Sequence, residues 1–366
     1  MKRHLITLCI MLALAVPAVM AQEPASVVYT DAATLPLHGK AIESTASRYA
    51  RFPAQYETIS REPLWNRSLN SAGLYIRFRT DAPAVHARWT NRDAHMPHMT
   101  DAGVGGLDLY AHLDGKWRFV GSGFNWKGGN PHERRLVGNM QPVMREYMLY
   151  LPLYDALDSL QIGVPEGYAI QQPALPSPRA DGPVVMYGTS ILQGGCASRP
   201  GMAHTAILSR ALDREVINLG FSGNAKLDLE VARLIAQVAA PSVIVLDFVP
   251  NADANLIREK GEAFFRIIRT AHPDVPVIFV ENPIFPHSLV DQAVASEIAG
   301  KNAALAQLYE RLVSAGEKGL YYVPGEGLIG TDGEATVDGS HFTDLGMMRY
   351  ASTLSNFIVE NLCIIK

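Results

Sequence analysis

Cysteine is nearly absent from this chain. The three present, Cys9, Cys196 and Cys363, form no CxxC pair and no ligand-type spacing, which excludes a zinc module or a disulfide-built scaffold. Charge of one sign is missing too: 36 acidic residues against 32 basic ones give a net charge of −4, with both signs interspersed. No basic stripe offers a footprint for nucleic acid, and no like-charge block marks a disordered tail. Past residue 20, no apolar run approaches the roughly 20 residues that a membrane-spanning helix needs. A nucleotide loop is also lacking, since Gly220-Phe221-Ser222-Gly223 has neither the lysine nor the longer glycine pattern. There are no internal repeats. What remains is a globular chain of 366 residues, 48% hydrophobic and long enough for two cores.

The first 21 residues read as a secretory signal. Met1-Lys2-Arg3-His4 is basic, residues 5–20 are apolar, and Val19-Met20-Ala21 suits cleavage after Ala21. The expectation is an exported protein, periplasmic or extracellular, with Cys9 removed and no membrane span left. Cys196 and Cys363 would then pair or stay as buried thiols.

From 22 to 172 the pattern has a period of two. Leu74, Ile76 and Phe78 alternate with Tyr75, Arg77 and Arg79, while Leu107, Leu109 and Ala111 alternate with Asp108, Tyr110 and His112. Turn residues such as Asp114-Gly115 separate the runs, so the region predicts an all-β, jelly-roll-like sandwich of half-buried strands. The proline-rich stretch 173–183 predicts a stiff connector. From 184 to 366, compact apolar runs at 184–187, 216–219, 243–246, 277–280 and 320–323 alternate with amphipathic helical patterns. That alternation predicts a parallel sheet covered by helices on both faces.

Four segments of this second region supply the parts for acyl transfer. They are Tyr187-Gly188-Thr189-Ser190, Leu219-Gly220-Phe221-Ser222-Gly223, Phe248-Val249-Pro250-Asn251 and Val337-Asp338-Gly339-Ser340-His341. Ser190, Gly223 and Asn251 each follow a predicted strand, and Asp338 and His341 precede the last helix. Open parallel sheets gather function at the carboxyl ends of their strands, so topology alone brings these residues to one rim. A serine hydroxyl needs a base to take its proton, which His341 would do while Asp338 holds the other ring nitrogen. The backbone N–H groups of Ser190 and Gly223 and the amide of Asn251 would hold the developing oxyanion. An α/β-hydrolase nucleophile would require Gly-x-Ser-x-Gly, and Leu192 stands at the fifth position here.

These segments resemble the four sequence blocks of the SGNH (GDSL-like) hydrolases. The resemblance implies a flavodoxin-like three-layer α/β/α domain in which Ser190, Gly223, Asn251 and the Asp338–His341 pair form the site, with no cofactor and no metal. Two departures stand out. The first block reads Gly-Thr-Ser-Ile, and the third reads Val-Pro-Asn-Ala-Asp, which leaves Asn255 as an alternative to Asn251. Upstream, Gly105-Gly106-Leu107-Asp108-Leu109-Tyr110 resembles the Gly-x-Asp-Leu-Tyr signature of a β-domain found before some exported SGNH esterases. That resemblance implies acetyl removal from O-acetylated carbohydrate such as plant polysaccharide. The alternatives are a lipase or thioesterase of the same family and a carbohydrate-binding protein without activity. Glu281 and Asn282, past the fourth strand, and Trp126 are candidate substrate contacts, although Trp126 equally suits a core position. His95, His98 and Asp101 have a spacing open to metal ligation, but they read as a loop between strands.

Overall fold

The computed structural model describes residues 26–124 and 128–362. Trp126, Cys363 and the expected signal at 1–21 lie outside these residues. The N-terminal half contains strands β1 (Val27–Asp31), β2 (Leu37–His38), β3 (Tyr75–Thr80), β4 (Val85–Asn91), β5 (Leu107–Leu113), β6 (Lys116–Gly123), β7 (His132–Val137), β8 (Arg145–Tyr150) and β9 (Leu157–Pro165). Helices α1 (Glu62–Ser68) and α2 (Asp101–Gly105) interrupt them. The strands form two antiparallel sheets, in the orders β1-β9-β4-β7 and β2-β3-β8-β5-β6. The chain changes sheet at most connections, as jelly rolls do. Alternate residues of both sheets, among them Ile76, Phe78, Trp89, Leu109, Leu149 and Ile162, point inward and make the sandwich core.

The second half is a parallel sheet of β10 (Arg179–Gly188), β11 (Arg214–Gly220), β12 (Val243–Asp247), β13 (Val277–Val280) and β14 (Leu320–Val323). Their order, β11-β10-β12-β13-β14, is that of a flavodoxin-like doubly wound fold. Helices α3 (Ser190–Gln193), α4 (His204–Leu212), α5 (Leu229–Ile235), α6 (Ala254–Ala271), α7 (Gln292–Ser314) and α8 (Asp344–Leu362) follow the strands. The apolar runs have no polar face because both sides are covered. Val185, Tyr187, Ile244 and Leu246 pack toward α5, α6 and α7, while Val184, Met186, Val243 and Val245 pack toward α4 and α8. Arg179 already pairs with Arg214, with a register shift before Val184, so the last residues of the proline-rich stretch belong to β10. Among the described residues, no helix is long and apolar enough to cross a membrane.

In one respect the sandwich departs from its sequence pattern. A period of two predicts a solvated outer face for the larger sheet, yet Tyr75, Arg77, Asp108, Tyr110 and Tyr150 are buried. That face lies against α4: Tyr75, Tyr110, Met148 and Tyr150 pack with Ala206, and Arg210 sits over the Tyr110 ring at 4.3 Å. The face is polar in composition because it is a contact between two halves, and such contacts keep charged and aromatic groups. The N-terminal half also sends Ala41, Phe52, Tyr56 and Leu64 into the core of the parallel-sheet domain.

Candidate active site

Ser190 opens α3 immediately beyond β10, and Thr189 caps that short helix by accepting from the Ile191 N–H at 3.2 Å. Its Oγ lies 2.9 Å from His341 Nε2. The other ring nitrogen, Nδ1, lies 2.7 Å from Asp338 Oδ2. Asp338 also accepts from the backbone N–H groups of His341 (2.8 Å) and Ser340 (3.0 Å) through Oδ1, so the loop fixes its own acid before any substrate arrives. Burial alone would raise the Asp338 carboxyl. The bonds from His341 and Ser340 outweigh it and hold the group at about 2. An ionised acceptor at Nδ1 requires Nδ1 to carry the proton, which leaves Nε2 as a lone pair facing Ser190. This unbroken line of donor and acceptor is competent to deprotonate the serine.

Gly223 lies in the turn after β11 with φ of +70°, a left-handed backbone that favours glycine. A Cβ there would meet open space, so the conformation and not crowding demands glycine. Among the described residues, its N–H has no acceptor. Asn251 ends a 3₁₀ turn after β12, and its Oδ1 accepts from the Ala225 N–H at 3.3 Å. The amide nitrogen therefore faces away from Ala225, with no partner among the described residues. Asn255 is exposed on α6 and bonds Arg258 instead. Of the two asparagines, Asn251 is the one that bonds the turn just after the second block.

Residues that the sequence did not single out brace this rim. Arg51 is fully buried and donates to the carbonyls of Asn70 (3.0 Å), Arg67 (2.6 Å), Gly220 (2.6 Å) and Asn218 (3.3 Å), with its guanidinium 4.7 Å from the Phe221 ring centroid. Burial without a carboxylate partner lowers its pKa to about 9. Gln193, also buried, donates to Asn70 Oδ1 and Leu153 O and accepts from the Ser222 N–H, joining α3 to the glycine turn. The Tyr154 hydroxyl donates to Ser190 O at 3.1 Å. The Gly-x-Asp-Leu-Tyr signature has a similar duty. Asp108 Oδ2 accepts from Arg199 Nη1 (2.6 Å) and from the Gly201 N–H (2.8 Å), tying the sandwich to the segment after the nucleophile. The one sequence signal for Arg51 is a charged residue inside the apolar run Tyr49-Ala50-Arg51-Phe52.

Other candidates are placed differently from the sequence expectation. Both Glu281 oxygens are engaged, one by the Tyr322 hydroxyl (2.6 Å) and one by the Gly325 N–H (2.7 Å). Asn282 is buried and exchanges hydrogen bonds with Asn302. Both residues hold the loop after β13 to its neighbours: the Glu281 carboxylate is engaged, and the Asn282 amide nitrogen donates to Pro283 O at 2.6 Å. His95 pairs with Asp101 at 2.7 Å on the surface. His98 turns away from both, and its ring centroid lies 5.4 Å from that of His341. Cys196 is a buried free thiol, pushed up to about 11 by burial and then by the Asp338 charge, so it is no competing nucleophile at neutral pH.

With the relay and the strand order in hand, comparison with known proteins is informative. The family described as GDSL-like lipase/acylhydrolase matches residues 181–359, and the N-terminus of the SGNH-hydrolase type of esterase matches residues 27–170. A solved GDSL-like lipase from Bacteroides ovatus is 37% identical to this chain, with a TM-score of 0.88 over 93% of this chain and 99% of that one. The chain belongs to the GDSL-like, or SGNH, hydrolase family. Two more distant structures share the fold of this SGNH hydrolase. The salicylyl-acyltransferase SsfX3 of a tetracycline biosynthetic pathway is 18% identical, with a TM-score of 0.73 over 93% of this chain and 99% of its own. A family two carbohydrate esterase from Clostridium thermocellum, solved with cellohexaose, is 13% identical, with a TM-score of 0.59 over 80% and 94%. No curated protein matches this chain.

Proposed function

We propose that this SGNH hydrolase is an exported serine esterase that removes acetyl groups from O-acetylated carbohydrate through an acyl-enzyme on Ser190. One observation carries the chemistry: the line Ser190 Oγ, His341 Nε2, His341 Nδ1, Asp338 Oδ2, with both contacts under 3 Å. Ser190 Oγ attacks the acetyl carbonyl as its proton passes to Nε2. The tetrahedral oxyanion is held by the N–H groups of Ser190 and Gly223 and by the Asn251 amide, one such donor being typically worth about 10² to 10³ in rate. Collapse expels the sugar hydroxyl, which takes the proton from His341. Water then attacks the acetyl-serine by the same route.

Two features favour carbohydrate. The loop that brings His98 beside His341 also lines a polar cavity of about 300 Å³, with Asn91, Asp93, His95, Asp101 and His132 around it. Hydroxyl-rich ligands suit such a wall. Carbohydrate esterases of family two share the fold. The reading is tested by acetate release from acetylated xylan, mannan and pectin, with wild-type and Ser190→Ala protein side by side. Serine-dependent release from a polymer supports it, and release from small esters alone refutes the carbohydrate part.

A second reading has its own observation. Ile284, Phe285, Pro286, Leu289, Ile329 and Ala335 line an apolar cavity of about 350 Å³ beside the loop that leads to Asp338. A medium-length acyl chain would fit such walls, which is the lipase or thioesterase alternative. A p-nitrophenyl ester series separates the two: kcat/KM falling beyond acetyl favours the acetylesterase, and kcat/KM rising with chain length favours the lipase.

A further inference from the structure

Three side chains from three separate segments meet beside the relay. His98 comes from the sandwich loop before α2, Cys196 from the turn after α3, and His341 from the loop before α8. One donor atom from each, a ring nitrogen or the thiol sulfur, lies within 4.8 Å of the other two. The backbone holds them there. Cys196 sits at φ of +67°, and Gly195 packs so closely on His341 that a Cβ would lie 3.0 Å from Cδ2. The thiol now makes only a 3.3 Å contact to the His98 carbonyl, so little is lost when it turns elsewhere.

Two imidazoles and a thiolate are the donor set of a zinc-class ion, which binds nitrogen at about 2.0–2.1 Å and sulfur at about 2.3 Å in tetrahedral geometry. Donors around such an ion lie roughly 3.4 Å apart, so closing this cluster takes about an ångström of side-chain rotation. The fourth position is left to water. We infer that His98, Cys196 and His341 form an inhibitory site for a zinc-class divalent cation, which captures the imidazole of the relay and clamps the two domains together. His341 has no spare nitrogen, because Nδ1 is bonded to Asp338 and Nε2 to Ser190. Whichever one the ion takes, the relay is broken. The thiol proton leaves to solvent, no bond to substrate is involved, and a chelator reverses the effect. Hard ions such as Mg²⁺ and Ca²⁺ prefer oxygen and would not bind.

The inhibitory half rests on His341 acting as the base, whereas the binding half does not, and the experiment reads the two separately. Full-length protein is titrated with zinc sulfate, then with magnesium sulfate, while thermal midpoint and p-nitrophenyl acetate hydrolysis are followed. Cobalt(II) replaces zinc for an absorption spectrum. Wild type should gain thermal stability with zinc and not with magnesium, lose hydrolysis over the same concentration range, and recover with EDTA. Its cobalt complex should show a thiolate charge-transfer band. Cys196→Ser should lose that band, and Cys196→Ser and His98→Ala should each need at least about tenfold more zinc for half-inhibition. Unchanged inhibition in both variants, or zinc leaving both midpoint and rate of the wild type unmoved, overturns the site. Zinc stabilisation and the cobalt band in a protein whose hydrolysis does not depend on Ser190 would support the metal site and refute the esterase reading instead.

Discussion

Replacing Arg51 with alanine should weaken the fold and the site together. Its guanidinium is buried and serves four backbone carbonyls, two in the 67–70 turn and two at the end of β11. Arg67 O keeps the Asn70 N–H at 3.2 Å, and each of the other carbonyls left buried without a donor costs about 1–3 kcal/mol. Removing an unpaired buried charge returns several kcal/mol of desolvation, which is why the Arg51 pKa is lowered to about 9. Over the three carbonyls that lose their donor, the balance points to a net loss of about 2–4 kcal/mol. Arg51→Lys keeps the charge but cannot span four acceptors from one nitrogen, so it should recover only part of the loss. Urea titration reads the midpoint shift, and hydrolysis of p-nitrophenyl acetate reads the site. Because Gly220 leads into the Gly223 turn, kcat should fall more than substrate affinity in Arg51→Ala. A stability loss below about 1 kcal/mol, or Lys and Ala behaving alike, would refute this reasoning.

The remaining predictions concern three carboxylates. Asp338→Asn keeps an oxygen for the backbone N–H groups but forces the wrong tautomer on His341, so kcat should drop about 10⁴-fold with little change in KM; a loss under about tenfold would reduce Asp338 to a loop-shaping role. Arg199→Met strips the ion pair from fully buried Asp108 and should cost about 3 kcal/mol by urea titration, whereas no loss would mean that Gly201 alone satisfies the carboxylate. Asp247 is buried at the end of β12, where burial raises it to about 7 against a bond from the Tyr350 hydroxyl that lowers it. A raised carboxyl binds a proton in the folded state that the unfolded chain releases, so folding weakens as pH rises from about 4 to about 7 and stays weaker above. Asp247→Asn should flatten that slope and stabilise the protein at about pH 8; an unchanged urea midpoint there would show that Asp247 does not carry it.

Much of this molecule is legible in its sequence because its signals are local. The apolar runs before Ser190, Gly223 and Asn251 place those residues at strand ends without any long-range knowledge. The spacing of Asp338 and His341 anticipates a loop in which the acid bonds both the ring and the backbone of its own base. What the sequence hides is long-range. Tyr75, Asp108 and Tyr110 carry the polar half of a period-two pattern, and that pattern cannot distinguish water from a neighbouring domain. Glu281 and Asn282 stand past a strand end, where function is expected, yet Tyr322 and Gly325 reach the Glu281 carboxylate from later elements and Asn302 holds the Asn282 backbone. Arg51 lies far from the nucleophile in sequence and is an unremarked arginine until β11 folds over it.

The most direct test of the central claim is to trap the intermediate. Wild-type protein is mixed with p-nitrophenyl acetate, quenched in acid within the first turnover, digested and read by mass spectrometry. The account predicts an acetyl group on the peptide bearing Ser190, at that serine alone, with none in Ser190→Ala and little in His341→Ala. An acetyl group on a different residue, or hydrolysis that persists in Ser190→Ala, would contradict it.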